Sequence, residues 1–208
     1  EAYKTRLDSS VFRSAMLMRP VFSAAAQSER RIVFAEGEDE RVLRAAQSIS
    51  EEMTDRPILI GRPEVILRGC ERAGLTMRPG EDFDIVDPAK DPRYRAYWET
   101  YLSLMARRGV TPDLAKVIMR TNTTAIAAIM VHLGDADCMI CGTFGQYLWH
   151  LNYIRQVLAR DGRHAVGALS LMIMEDEPLF IADTHVHPEP TPEEICETVI
   201  GAARHVRR

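Results

Sequence analysis

From Arg31 onward the apolar positions fall into short runs separated by longer amphipathic stretches. Ile32 to Ala35, Pro57 to Gly61, Phe83 to Val86 and Cys138 to Cys141 are each too short for a helix. Acidic residues, Gly or Pro bound them, which predicts four strands. Between the first two, Val42, Leu43, Ala46 and Ile49 recur at helical spacing, and Asp39 stands where an N-cap belongs. Pro63 to Ala73 predicts a second helix, ended by Gly74. Pro92 opens a helix carrying Tyr94, Tyr97, Trp98, Tyr101, Leu102 and Met105, which Gly109 stops. Thr111 and Pro112 open the next, and Thr123 to Leu133 is a further helical stretch rich in Ala, Ile and Met. Strands that alternate with helices, and are apolar on both sides, predict an α/β fold with a largely parallel sheet and flanking helices.

After Gly142 the texture changes. Tyr147 to Leu158 predicts an aromatic-rich helix. Val166 to Met174 and Leu179 to Ala182 predict a strand pair joined by the acidic turn Glu175 to Pro178. A proline-rich loop with His185 and His187 follows. Thr191, with Glu194 three residues on, predicts a capping box. Residues 1–28 carry Val11, Phe12, Ala15, Met16 and Met18 at helical spacing and read as a helical connector. The expected organisation is therefore the connector 1–28, a first α/β lobe 29–142, and the start of a second lobe 143–208. A hinge near 142–146 would leave a ligand cleft outside the strand ends. The chain opens without methionine or a signal-peptide pattern, and its last helical pattern runs to Arg208, as expected of a piece of a longer chain.

Composition narrows the function classes. The formal net charge is −4, without the basic excess of a nucleic-acid binder. No apolar stretch reaches the ~18 residues of a membrane-spanning helix. Cys138 and Cys141 form a C-x-x-C on an expected buried strand, where residues three apart face opposite ways. No second pair of ligands stands at zinc-site spacing. Core packing of reduced thiols in a cytoplasmic protein is the expectation.

Four segments carry candidate chemistry. Glu36 to Arg41 places four carboxylates between a strand and a helix, where they complement the helix dipole or line a cleft. Arg120 to Thr124 is a polar island that caps the following helix or offers donors to an anion. Gly142 to Tyr147 follows a strand, and its glycines permit close approach of a ligand. Neither a phosphate-binding P-loop nor a dinucleotide fingerprint is present. Asp183, His185 and His187 fit a structural loop with exposed imidazoles better than a metal site, for want of a third strong ligand.

The run Arg31 to Ala46, with its strand ending in Glu36-Gly37 and the Asp39-Glu40-Arg41 helix start, resembles the opening motif of phosphate acetyl- and butyryltransferases. Pro57 to Gly61, Gly134 to Asp137, and Leu179 to Asp183 with Val186, Pro188, Pro190 and Thr191 resemble further segments of that family in order. The resemblance implies a two-lobed α/β fold of isocitrate and isopropylmalate dehydrogenase type, here truncated, that binds CoA thioesters in its cleft. Where active members carry anion-binding arginines, this chain has Asn152 and, by register, Met105; an indole, Trp149, replaces an aspartate. Cys141 to Gly145, Tyr147 to Leu151, Arg120 to Thr124 and Met18 to Phe22 instead resemble the acetyltransferase-like domain fused to bacterial malic enzymes.

What the resemblance implies is a regulatory, acetyl-CoA-sensing and assembly domain that is not itself catalytic. An active phosphate acetyltransferase and a purely structural oligomerisation module are the alternatives. Its partners would be an upstream malic enzyme domain and further copies of itself. NADP and a divalent metal, Mg or Mn, would serve that upstream domain, with no cofactor in this chain. The residues expected to meet acetyl-CoA or an anion are Glu36, Gly37, Asp39, Arg120, Asn122, Thr123, Gly142, Thr143, Tyr147 and Asn152.

Overall fold

Four short strands build one parallel sheet: β1 (Ile32–Phe34), β2 (Ile58–Ile60), β3 (Asp84–Val86) and β4 (Cys138–Ile140), in the order β3-β2-β1-β4. The computed structural model describes residues 3, 16, 18–25, 27, 30–52, 56–159, 166–174 and 178–207. The chain divides into two compact units, Ala25–Leu158 and a second made of Glu1–Ala24 with Ala159–Arg208. Of the expected connector, 18–25 are helical.

Among the described residues six α-helices accompany the sheet in the first unit: α1 (Glu40–Glu52), α2 (Pro63–Ala73), α3 (Tyr94–Met105), α4 (Pro112–Thr121), α5 (Thr123–Leu133) and α6 (Tyr147–Leu158). The strand alternation sorts side chains onto two faces. Val33, Ala35, Ile58 and Ile60 join a core with residues of α3, α4 and α5. Phe34 and Leu59 point the other way, into a core with Val42, Leu43 and Ala46 of α1 and Ile66 and Cys70 of α2. Both faces are covered, which is why these strands read as unbroken apolar runs. In α5 every residue from Thr124 to Met130 is buried, so it is the central helix, apolar all round.

Local signals act where the sequence places them. Gly74 ends α2 in the left-handed region at φ 69°, its N–H reaching the carbonyls of Cys70 and Glu71. Thr111 caps α4 through the Leu114 N–H, and Asn122 caps α5 through the Ala125 N–H.

Two expectations need correction. Among the described residues β4 is an edge strand, not a buried one: Cys138 and Ile140 are exposed. Its residues read as core because Cys138, Met139 and Ile140 are all apolar in type, whether or not a neighbour covers them. Cys138 and Cys141 are free thiols; burial, with the nearby Glu36 carboxylate, pushes the Cys141 thiol up to about 11. The change of texture after Gly142 is also not where the first unit ends. That unit runs through α6, which packs on α5 and α3 through buried His150, Leu151 and Val157.

The second unit holds an antiparallel pair, β5 (Leu169–Ile173) and β6 (Pro178–Ala182), and the helix α7 (Pro192–Val206), which packs on β6. The acidic turn between the strands lies largely outside the described residues. Thr191 and Glu194 form the expected capping box. In the preceding loop His185 is exposed, but the His187 side chain is only 7% exposed, its Nδ1 donating to Asp183 Oδ2 at 2.7 Å. The loop is therefore pinned by an imidazole that the sequence suggested was outside.

Burial pushes the Asp183 carboxyl up, but the His187 bond and the backbone N–H groups of Val186 and His187 outweigh it and hold the carboxyl below its ordinary value. A depressed carboxyl contributes stability above its unfolded value, about pH 4, and loses it as pH falls through the folded value. Asp183→Asn is expected to lower the melting temperature at neutral pH and to flatten its fall below about pH 4. Parallel melting curves of the two proteins over that acid range would contradict this.

Candidate ligand site

The strands all end at one edge, and in such sheets ligands bind outside the carboxyl ends. A cavity of about 350 Å³ lies there. Ala35 from the end of β1, Ile60 from β2, and Pro88 and Ala89 after β3 give it apolar walls, and Phe144 from the loop after β4 joins them.

The segment after β1 is held down by Gly37. Its N–H donates to the Ile60 carbonyl at 3.0 Å. A Cβ there would stand 2.8 Å from that carbonyl oxygen and 2.8 Å from the Leu59 Cβ, so only glycine lets the two strand ends approach this closely. Glu38 then reaches across to Arg62 after β2. One oxygen accepts from the Arg62 backbone N–H at 2.8 Å and its Nε at 2.9 Å, the other from the terminal nitrogen at 2.8 Å. These bonds hold the Glu38 carboxyl below its usual range. Asp39 caps α1 through the Arg41 N–H at 2.9 Å and binds the Arg41 guanidinium through both oxygens. Arg41 in turn donates to the Thr143 carbonyl at 2.7 Å, tying the α1 start to the loop after β4.

After β3, Asp87 accepts the Ala89 N–H at 2.9 Å. Arg120, at the end of α4, donates to the Ala89 carbonyl at 2.8 Å and lies over the Tyr94 ring at 4.1 Å. Among the described residues Arg120 is the cavity arginine without a carboxylate partner; the other, Arg62, is paired with Glu38.

Beneath the loop carrying Phe144 runs a buried polar chain. Glu36, only 4% exposed, accepts the Gly142 N–H through both oxygens, at 3.0 and 3.2 Å. His150, equally buried, stands 3.8 Å from Glu36. Its Nε2 lies 2.8 Å from the Phe144 carbonyl and its Nδ1 2.8 Å from Thr124 Oγ1. A carbonyl only accepts, so Nε2 carries the hydrogen; in the neutral ring Nδ1 then accepts from the Thr124 hydroxyl. The first turns of α5 and α6 thus hold the cavity loop by one imidazole.

The structure gathers some of the sequence-derived residues and disperses others. Glu36, Asp39, Arg120 and Thr123 line the cavity, and Gly37 anchors its β1 side. Asn122 is buried and uses its side chain as the α5 cap. Gly142 and Thr143 act through the backbone, on Glu36 and Arg41. Tyr147 and Asn152 are exposed on α6 and are not among the lining residues. Sequence reasoning missed Ile60, Arg62 and Asp87 on the walls and His150 beneath them; Glu38 and Phe144 lie inside two of the candidate segments without having been chosen individually. The ends of the predicted parallel strands were the usable signal for the wall residues; nothing in the sequence marks His150. Among the described residues no group of three or more His, Cys, Asp and Glu is placed to hold a metal, and no single helix is long and apolar enough to cross a membrane.

A parallel sheet covered on both faces, with a cavity at its carboxyl edge, defines a protein of the α/β class. Residues 16–208 match the family model described as phosphate acetyl/butaryl transferase, and the chain belongs to that family. It is 48% identical over its whole length to an NAD-dependent malic enzyme of Rhizobium meliloti and 43% identical to an NADP-dependent malic enzyme of Salmonella typhimurium. It spans only 27% and 28% of the length of those two proteins, so it is homologous to a phosphotransacetylase-like portion of malic enzymes. A phosphate acetyltransferase of Synechocystis is 30% identical over 86% of this chain, covering 26% of that protein. In fold, a phosphotransacetylase from Streptococcus pyogenes matches with a TM-score of 0.80 at 22% identity, over 91% of this chain and 58% of the other.

Proposed function

We propose that this chain is an acetyl-CoA-sensing and assembly domain of a bacterial malic enzyme and does not transfer acetyl groups. The observation that carries the reading is the charge arrangement of the cavity. Four carboxylates (Glu36, Glu38, Asp39 and Asp87) stand on its walls beside two arginines, one of them already committed to Glu38. Phosphoryl recognition depends on bidentate arginine, and stabilising the charge at the reacting phosphate is a dominant catalytic contribution. Among the described residues only Arg120 of the two arginines has no carboxylate partner, so the cavity does not offer two arginines to one phosphoryl group. On α6, Trp149 and Asn152 stand in place of the acidic and basic residues of active members.

In the parent enzyme malate would be oxidatively decarboxylated to pyruvate in the cytoplasm, using NADP and a divalent Mg or Mn outside this chain. The names of the relatives include both NAD and NADP, so the resemblance favours malate decarboxylation more strongly than either nucleotide. Abundant acetyl-CoA would lower that activity by binding one of two states more tightly. Exposed Leu148 and Trp149 on α6, and Ile195, Val199 and Ile200 on α7, support a further role in contacts between copies. The test is an acetyl-transfer assay: the chain with acetyl-CoA and inorganic phosphate is expected to form no acetyl phosphate while acetyl-CoA raises its melting temperature. Turnover would reinstate an acetyltransferase, and an unmoved melting temperature would leave assembly as its sole role.

A further inference from the structure

The loop between β6 and α7 turns back on itself at Asp183, which sits in the left-handed region at φ 55°. One carboxylate oxygen accepts the Val186 N–H at 3.2 Å and the other lies 2.7 Å from His187 Nδ1. An ionised carboxylate only accepts, so Nδ1 carries the hydrogen, and a neutral ring then has a lone pair on Nε2. That atom is buried, with no hydrogen-bond partner among the described residues, and the whole side chain is 7% exposed. It faces a second carboxylate. Glu194 Oε1, in the first turn of α7, stands 3.9 Å away, while Glu194 Oε2 accepts the Thr191 N–H at 2.8 Å in the capping box. A lone pair set against a carboxylate is an arrangement that a proton repairs. With hydrogen on Nε2 the ring is a cation between two anions, each already at ion-pair distance.

Among the described residues no other carboxylate pairs with this ring. β5 and β6 carry no charged residue. On the loop, His185 Nδ1 lies 2.6 Å from the Thr184 hydroxyl and Glu189 is exposed. On α7, Glu193 and Glu197 are exposed, and Arg204 and His205 stand in the last turn.

We infer that Asp183, His187 and Glu194 form a proton-operated latch that ties the loop after β6 to the start of α7. The latch lies in the second unit and does not depend on what the first unit binds. It fixes the helix that presents exposed Ile195, Val199 and Ile200. The paired imidazolium exists only in the folded chain. Its stabilisation is therefore full below the ordinary imidazole value, about pH 6.5, and is lost as pH rises. It is lost again below about pH 4, as the two carboxylates take protons.

The test compares thermal melts of the 208-residue chain at about pH 8 and about pH 5.5, either side of the ordinary imidazole range. His187→Asn keeps a donor for Asp183 and cannot take a proton. Glu194→Gln keeps the capping box and removes the opposing charge. On acidification the wild-type chain is expected to gain roughly 3 °C over His187→Asn, the shift that an interaction of about 1 kcal/mol gives at this length. Glu194→Gln is expected to show less than half of that gain. The remaining histidines are common to all three proteins. Nitrogen NMR of the wild-type ring serves if a variant fails to fold: hydrogen on Nδ1 alone is expected at the higher pH and on both nitrogens at the lower. Equal pH dependence in all three proteins overturns the latch. So does a gain that survives undiminished in Glu194→Gln, or a neutral ring with its hydrogen on Nε2.

Discussion

Gly37→Val is expected to destabilise the chain by about 3 kcal/mol, at the upper end of what overpacking costs in a close-packed interior. The reason lies in backbone, not in a side chain that could swing aside. The added Cβ would meet the Ile60 carbonyl oxygen and amide nitrogen at 2.8 and 2.9 Å, and the Leu59 Cβ at 2.8 Å. Relief requires parting the β1 and β2 ends and losing the Gly37 N–H bond to Ile60. The melting temperature should fall by roughly 10 °C, the shift that a loss of this size gives in a chain of this length. Gly37→Ala should move it the same way by less. Gly201→Ala is the control of opposite sign. It lies inside α7 with nothing within 4 Å of the new Cβ, and replacing a helical glycine there should raise stability by up to about 1 kcal/mol. Thermal melts of the three variants check this; a Gly37→Val protein that melts with the wild type would show that the strand ends are not packed as described.

His150→Ala should cost about 3 kcal/mol as well, through buried polar groups rather than sterics. The imidazole joins the Thr124 hydroxyl on α5 to the Phe144 carbonyl in the cavity loop. Removing it leaves both without that partner in a site shielded from water, together with a void. His150→Gln, which can still donate toward Phe144, should recover part of the loss. Hydrogen exchange distinguishes this from a general loosening. The amides of 142–146, including the Gly142 N–H on Glu36, should exchange faster in His150→Ala, while those of β1 and β2 keep their relative protection. Uniform acceleration across the sheet would contradict the local role.

The same residues show how far the sequence could be read. Helix limits were legible because caps are local chemistry: Gly74, Thr111, Asn122 and Thr191 act on N–H or carbonyl groups within a few positions. The strands were legible because burial on both faces leaves no polar alternation. The acidic run Glu36 to Glu40 was legible as a group but not in its parts. Glu36 goes to the Gly142 N–H, Glu38 to Arg62, Asp39 to the helix cap and Arg41, and Glu40 to Arg44. Three of those roles are set by the local turn or by which segment lies across the sheet edge, and similar carboxylates give no sign of which. Arg120 was picked out as an anion donor, yet its contact with Ala89 and Tyr94 depends on how α4 crosses the loop after β3. The covered His187 side chain and the buried His150 were not recognisable as such, because an isolated imidazole has no periodicity to betray its partner. Asn152 was singled out by comparison with active acetyltransferases; on α6 it is exposed, a position compatible with a lost arginine and with a contact surface alike.

This acetyltransferase relative is proposed to bind acetyl-CoA as a signal. Isothermal titration of acetyl-CoA into the chain tests it most directly. Saturable binding at one site per chain is expected, with no acetyl-CoA consumed when phosphate is added. Absence of heat at millimolar ligand, or steady consumption of the thioester, would contradict it.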